Sequence, residues 1–118
     1  MEQQVAKQAE IPLGQSALVT VEGKEVALFN VEEHYYAVGN RCPHRSGPLF
    51  RGKVETVNGV PAVRCPLHGW LFELSTGRCL TRPGAGVSVY PVSCRGEELF
   101  LGPPEGEAAG PTFSGQIG

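Results

Sequence analysis

The sequence lacks the features that would send a chain into a membrane or onto nucleic acid. No apolar run approaches the roughly 20 residues that a helix needs to cross a bilayer. The first ten residues, MEQQVAKQAE, are polar and mixed in charge, without the basic start and apolar core of a signal peptide. Ten Lys and Arg against twelve Asp and Glu give a net charge of −2. That leaves no basic field for nucleic acid and no polybasic patch for an anionic membrane. No glycine-rich dinucleotide fingerprint follows a strand-like run, and no nucleophile stands out beside a general base. The expectation is a cytoplasmic protein that catalyses nothing alone. In a reducing compartment, paired cysteines suit metal binding better than disulfides, and the chain has four.

A sustained helical period is also missing between Ser16 and Leu101, where sixteen glycines and ten prolines across the chain punctuate short strand-like runs. This predicts an all-β fold, an antiparallel β-sandwich or small barrel. The length of 118 residues suits one domain. A first edge strand is expected near Gln3 to Ala6, then an irregular connection from Lys7 to Gly14. SALVTV (16–21), EVALFNV (25–31) and HYYAVG (34–39) read as a meander with turns at Glu22-Gly23 and Glu32-Glu33. KVETV and VPAVR flank Asn58-Gly59, a strong hairpin signal. WLFEL precedes a turn at Ser75-Thr76-Gly77, and VSVYPV (87–92) joins EELFL through Cys94-Arg95-Gly96. Residues 1–102 form the expected domain. Residues 103–118 are rich in Gly, Pro and small residues and predict a flexible tail, in which Phe113 would be an anchor for a partner.

The chemistry lies in two echoing stretches, RCPHRSG (41–47) and RCPLHGW (64–70). Each offers one thiol and one imidazole: Cys42-x-His44 and Cys65-x-x-His68. A hairpin turning at Asn58-Gly59 would set them side by side. A closed zinc site accepts two thiolates and two imidazoles. So does a [2Fe–2S] cluster in which cysteines hold one iron and histidines the other. Structural zinc sites usually draw paired ligands from one knuckle, whereas each arm here mixes types, which favours the cluster; zinc remains the alternative. Pro43, Gly47, Pro48, Pro66 and Gly69 bend both loops tightly, so backbone N–H groups can face the sulfurs.

With CPH at 42–44 and CPLH at 65–68, residues 1–102 resemble the Rieske [2Fe–2S] proteins. NRCPHRSGPL, CPLHGWLFELSTG and the loop TRPGAG (81–86) carry the resemblance further. It implies a Rieske-type β-sandwich with two cluster-binding loops at one end and a third loop covering them. It also implies that Cys42 and Cys65 bind one iron and His44 and His68 the other. High-potential members have a disulfide between their two loops; the matching positions here are Gly47 and Leu67. Their Ser and Tyr hydroxyls are matched by Trp70 and Phe72. Fewer donors to the cluster imply a potential toward the low end of the Rieske range of about −150 to +300 mV.

Two soluble relatives fit such a carrier. One is the small subunit of assimilatory NAD(P)H nitrite reductase, to which EVALFNVEEHYYAVGNRCPH and VSVYPV are more similar; its partner would be the reductase large subunit. The other is a stand-alone Rieske ferredoxin, with a ferredoxin reductase and a ring-hydroxylating oxygenase as partners. An oxygenase itself needs a second iron site of two His and one carboxylate, and only His34 remains for it. Cys79 and Cys94 read as buried free thiols and His34 as a surface residue. Trp70, Leu71 and Phe72 read as packing around the site. Glu32, Glu33, Glu97 and Glu98 would suit a basic partner as a steering patch.

Overall fold

The computed structural model describes residues 2–32, 34–43, 47–67 and 69–107, with backbone alone for 105–107. Its strands are β1 (Gln3–Lys7), β2 (Ser16–Val21), β3 (Lys24–Val31), β4 (His34–Gly39), β5 (Lys53–Val57), β6 (Val60–Arg64), β7 (Leu71–Glu73), β8 (Ser88–Tyr90), β9 (Val92–Arg95), β10 (Glu98–Leu101) and β11 (Glu105–Glu107). Short 3-10 turns occupy Gln8–Glu10 and Leu49–Arg51. The fold is all-β and antiparallel, as the composition implied.

Local turn chemistry sets the register. Val21 pairs with Lys24 across Glu22 and Gly23, whose φ values are 51° and 80°. Val57 pairs with Val60 across Asn58 and Gly59, at 52° and 83°. Positive φ at both central residues gives the turn twist that matches two twisted strands. Once each turn is fixed, alternation decides which side chains face inward.

The five-stranded sheet, in the order β11-β8-β4-β3-β2, is the middle layer. On β3, Ala27 and Phe29 join one core with Val38 of β4, while Val26 and Leu28 join a second core with Ala37. Both faces of the central strands are therefore covered. The second core is closed by Leu99 and Leu101 of the sheet β1-β10-β9. The first is closed by Val63 and Phe72 of the sheet β5-β6-β7, and it also holds Cys42 and Cys65.

Four details differ from the sequence expectation or add to it. VSVYPV is two strands, because Pro91 has no N–H for a ladder; β8 stays in the five-stranded sheet and β9 crosses to the other. Cys94 is exposed rather than buried: β9 is an edge strand, and position 94 points outward. Cys79 is buried, with its sulfur 3.5 Å from Thr81 Oγ1. Pairing also continues past Gly102, where Glu105 lies opposite Val89 and Glu107 opposite Ser88. The rest of the expected tail, with Phe113, lies outside the described residues. Among the described residues no helix is long and apolar enough to cross a membrane.

Phe72 is fully buried at the centre of the first core. Phe72→Ala should cost about 3–5 kcal/mol, measured by urea unfolding. Leu18→Ala, at a position 39% exposed, should stay within about 0.5 kcal/mol of wild type.

Candidate metal centre

The first loop leaves β4 through Asn40, a buried side chain with four backbone or side-chain bonds. Its N–H donates to Glu25 O (3.0 Å), its carbonyl accepts from Leu49 N (2.7 Å), and its Oδ1 accepts from Phe50 N (2.8 Å). Its Nδ2 reaches Glu25 Oε1 at 3.4 Å. Asn40 thus clamps both ends of the loop to β3. Immediately after it, Arg41 bridges to Pro48, and Cys42 N–H donates to Gly47 O at 3.0 Å.

The second loop repeats this device. It leaves β6 after Arg64, and Cys65 N–H donates to Trp70 O at 2.7 Å. Gly69, at φ 79°, turns the chain so that its N–H reaches Cys65 O at 3.0 Å; non-glycine residues rarely adopt that φ. In both loops the cysteine N–H closes the neck onto a carbonyl five residues ahead.

The two loops touch. A Cβ placed on Gly47 would lie 2.7 Å from Cys65 Sγ and 3.1 Å from Leu67 Cγ. Only glycine lets the first loop come so close to the second cysteine. Positions 47 and 67 face each other, as the resemblance to disulfide-bearing relatives implied, but here the contact is backbone against leucine. Cys42 and Cys65 are 0% and 1% exposed and belong to one core cluster. His44 and His68, the other two expected ligands, lie outside the described residues. His34 opens β4 at the surface, its ring 6.5 Å from that of Tyr36.

A third segment is pinned against the second loop. Leu80 N–H donates to Leu71 O (2.7 Å), and Leu71 N–H donates to Thr81 Oγ1 (3.2 Å). The Arg82 guanidinium lies 5.3 Å from the centre of the Trp70 ring. This is the loop the resemblance placed over the site.

Sequence reasoning missed Asn40, Glu55 and Arg64. Arg64 Nε and Nη2 hold both oxygens of Glu55, at 2.5 and 2.9 Å, and its Nη1 donates to Gly69 O at 3.0 Å. One guanidinium thus ties the second loop to β5. The signal was available: the Asn58-Gly59 turn sets Glu55 opposite Ala62, so Arg64 is its diagonal neighbour on the same face. The hydrogen bonds from Arg64 hold the Glu55 carboxyl below its usual pKa, and the same bonds raise that of Arg64.

The residues fit a metal cofactor. An ionised thiol sealed from water is costly unless a cation or strong donors accompany it. Two cysteines are brought together here with almost no exposure, at the necks of two loops that each carry a histidine in sequence. Two sulfur and two nitrogen donors suit a mixed-ligand iron–sulfur cluster.

Comparison with known proteins points to an iron–sulfur family. Residues 3–101 match the family model described as a Rieske-like [2Fe-2S] domain. The ferredoxin component of the naphthalene 1,2-dioxygenase system of Pseudomonas aeruginosa is 39% identical over 93 residues, covering 78% of this chain and 86% of that protein. Among solved structures, the ferredoxin of carbazole 1,9a-dioxygenase from Nocardioides aromaticivorans superposes with a TM-score of 0.77 at 27% identity, over 87% of this chain and 98% of that one. A protein assigned as an NADH-dependent nitrite reductase small subunit from Mycobacterium tuberculosis gives 0.81 at 27% identity, over 86% and 93%.

The Glu55–Arg64 staple has a signed pH dependence. A carboxyl whose folded pKa is depressed contributes stability above its unfolded pKa and loses it as pH falls through the folded one. The Cys65 and Gly69 amides, measured by hydrogen exchange, should therefore keep their protection from neutral pH down to the ordinary carboxylate range and lose it below. Glu55→Gln should exchange faster at neutral pH and show little further loosening in acid. Equal protection in the variant and wild type would mean that the staple does not hold the loop.

Proposed function

From the premise that the chain belongs to the Rieske-like [2Fe–2S] family, we propose that it is a free ferredoxin that passes single electrons from a reductase to a ring-hydroxylating oxygenase. The chain is a Rieske-type electron carrier whose cofactor is a Rieske-type [2Fe–2S] cluster. The observation behind the finer reading is the 39% identity to a dioxygenase ferredoxin component, spread over most of both chains. The TM-score of 0.81 supports a second reading, the small subunit of a nitrite reductase, which the sequence motifs favoured first. In either role we place the protein in the cytoplasm, with residues 1–102 as the cluster-bearing domain.

Cys42 and Cys65 would hold one iron, and His44 and His68 the other. When bound, the cluster supplies a one-electron couple. The polypeptide does the rest. The Cys42 and Cys65 N–H groups fix the loop necks, Asn40 and Arg64 fix the loops to the sheets, and Leu67 packs over Gly47 at the seam. Trp70, partly buried against the core that holds the two cysteines, lies under Arg82 on the side of the third segment.

Protein matured in its native host and purified without oxygen should be red-brown, with about two irons and two sulfides per chain. Stoichiometric zinc without acid-labile sulfide would overturn the assignment. His44→Cys or His68→Cys should alter or abolish the spectrum, since a neutral ligand becomes an anion. Cys79→Ser and Cys94→Ser should leave it intact; loss of the signal in either folded variant would reassign the ligands. For the partner, co-purification tests the choice. A free ferredoxin should elute alone and support oxygenase turnover when a reductase is added. Stoichiometric elution with a large reductase subunit would instead establish the second reading.

A further inference from the structure

One sheet edge in this molecule carries none of the devices that keep edges apart. An edge strand presents unpaired N–H and C=O groups, and natural proteins blunt it with charge, proline, a bulge or short length. β1 has a register shift between Gln4 and Ala6 and ends on Lys7. β9 follows Pro91 and ends on Arg95. β5 carries Lys53 and Glu55. β7 and β11 have three residues each. β2, at one edge of the middle sheet, is different. Its six residues, SALVTV, include no charge and no proline, and they pair with β3 without a register shift.

The ladder fixes which way the β2 backbone points. Asn30 N–H donates to Gln15 O at 3.0 Å, so Gln15 turns its polar groups toward β3. Asn40 N–H, donating to Glu25 O, gives the same parity from the far side of β3. Directions alternate along an antiparallel strand. Ala17 and Val19 therefore bond to β3, and the N–H and C=O groups of Ser16, Leu18 and Thr20 face away from the sheet. Among the described residues none of those outward groups has a backbone partner. All three residues are exposed, Leu18 at 39%. The Ser16 hydroxyl is used within the chain, donating to Phe50 O at 2.7 Å.

We propose that the β2 edge is a self-association surface, at which two copies of this chain join edge to edge about a two-fold axis through Leu18. The two five-stranded sheets then become one continuous sheet. A two-fold interface needs a patch that complements itself, and the outward positions read hydroxyl, leucine, hydroxyl in either direction. Laid antiparallel, Leu18 faces Leu18 of the copy, and Ser16 faces Thr20 on each side of it. These are the positions whose polar groups point outward, so each facing pair exchanges two hydrogen bonds. Ala17 meets Val19 on the other face. No like charges meet along the strand, which is what would disfavour such a pairing. The axis stands perpendicular to the sheet. The ends of β4 that lead into the Cys42 loops therefore point in opposite directions, one on each copy.

One strand pair is smaller than a standard interface, so the association is weak and shows at high concentration. Sedimentation of the cluster-loaded full chain should show the mass doubling between about 10 μM and about 1 mM. Over that range amide exchange at Ser16, Leu18 and Thr20 should slow about tenfold, as mass action removes the open edge. Ala17 and Val19, already bonded to β3, should not change. Leu18→Lys and Leu18→Glu, each verified to keep the cluster absorption, should remain monomeric alone. An equimolar mixture of the two should associate again, because opposite charges then meet at the axis. Wild type that stays monomeric at the upper concentration would overturn the proposal, and so would Leu18→Lys that associates as wild type does. Slow exchange at Ser16, Leu18 and Thr20 already in the monomer would show that another part of the chain covers the edge, which also overturns it.

Discussion

The approach of Gly47 to Cys65 is the contact on which this end of the molecule depends. It lets two loops from different sheets share one wall, so that two cysteines are buried in a single core cluster. Any side chain at position 47 would meet the sulfur before the loops could close. Two adjacent buried cysteines at these loop necks are the sulfur donors we propose for the cluster, whose cation would offset the burial of their thiolates. The sheets bring the loops together, and cofactor binding there would couple to folding.

Around that contact the structure uses few devices, each repeated. Both loops close their necks with the cysteine N–H, and both are tied back to a strand by a polar side chain, Asn40 to β3 and Arg64 to β5. An arginine also lies over an aromatic ring of each, Arg51 over Phe50 and Arg82 of the third segment over Trp70. The middle sheet, packed on both faces, gives the rigid base. A site that must exchange electrons repeatedly without rearranging is served by this kind of support.

Much of the fold was legible in the sequence because turn and strand signals agreed. SALVTV, HYYAVG, KVETV and VPAVR are strands with the expected limits, set by β-branched runs and by two-residue turns. What was misread depended on tertiary context. Pro91 looked like a tolerated strand residue but marks the crossing between sheets. Cys94 looked like a small core hydrophobe, yet it is exposed, because β9 is an edge strand. In the site, spacing singled out Cys42 and Cys65 as candidates, and the structure buries both in one core cluster. The supporting residues were not, because Asn40, Glu55 and Arg64 act through hydrogen bonds that only a paired register reveals.

The central claim is that two sulfurs and two imidazole nitrogens hold one cluster. Pulsed electron resonance on the reduced protein, grown with nitrogen-15 histidine, tests it most directly. The account predicts two distinct, strongly coupled nitrogens, one each from His44 and His68, with a single coupling left in a variant that lacks either histidine. A reduced cluster with no strongly coupled histidine nitrogen would contradict it.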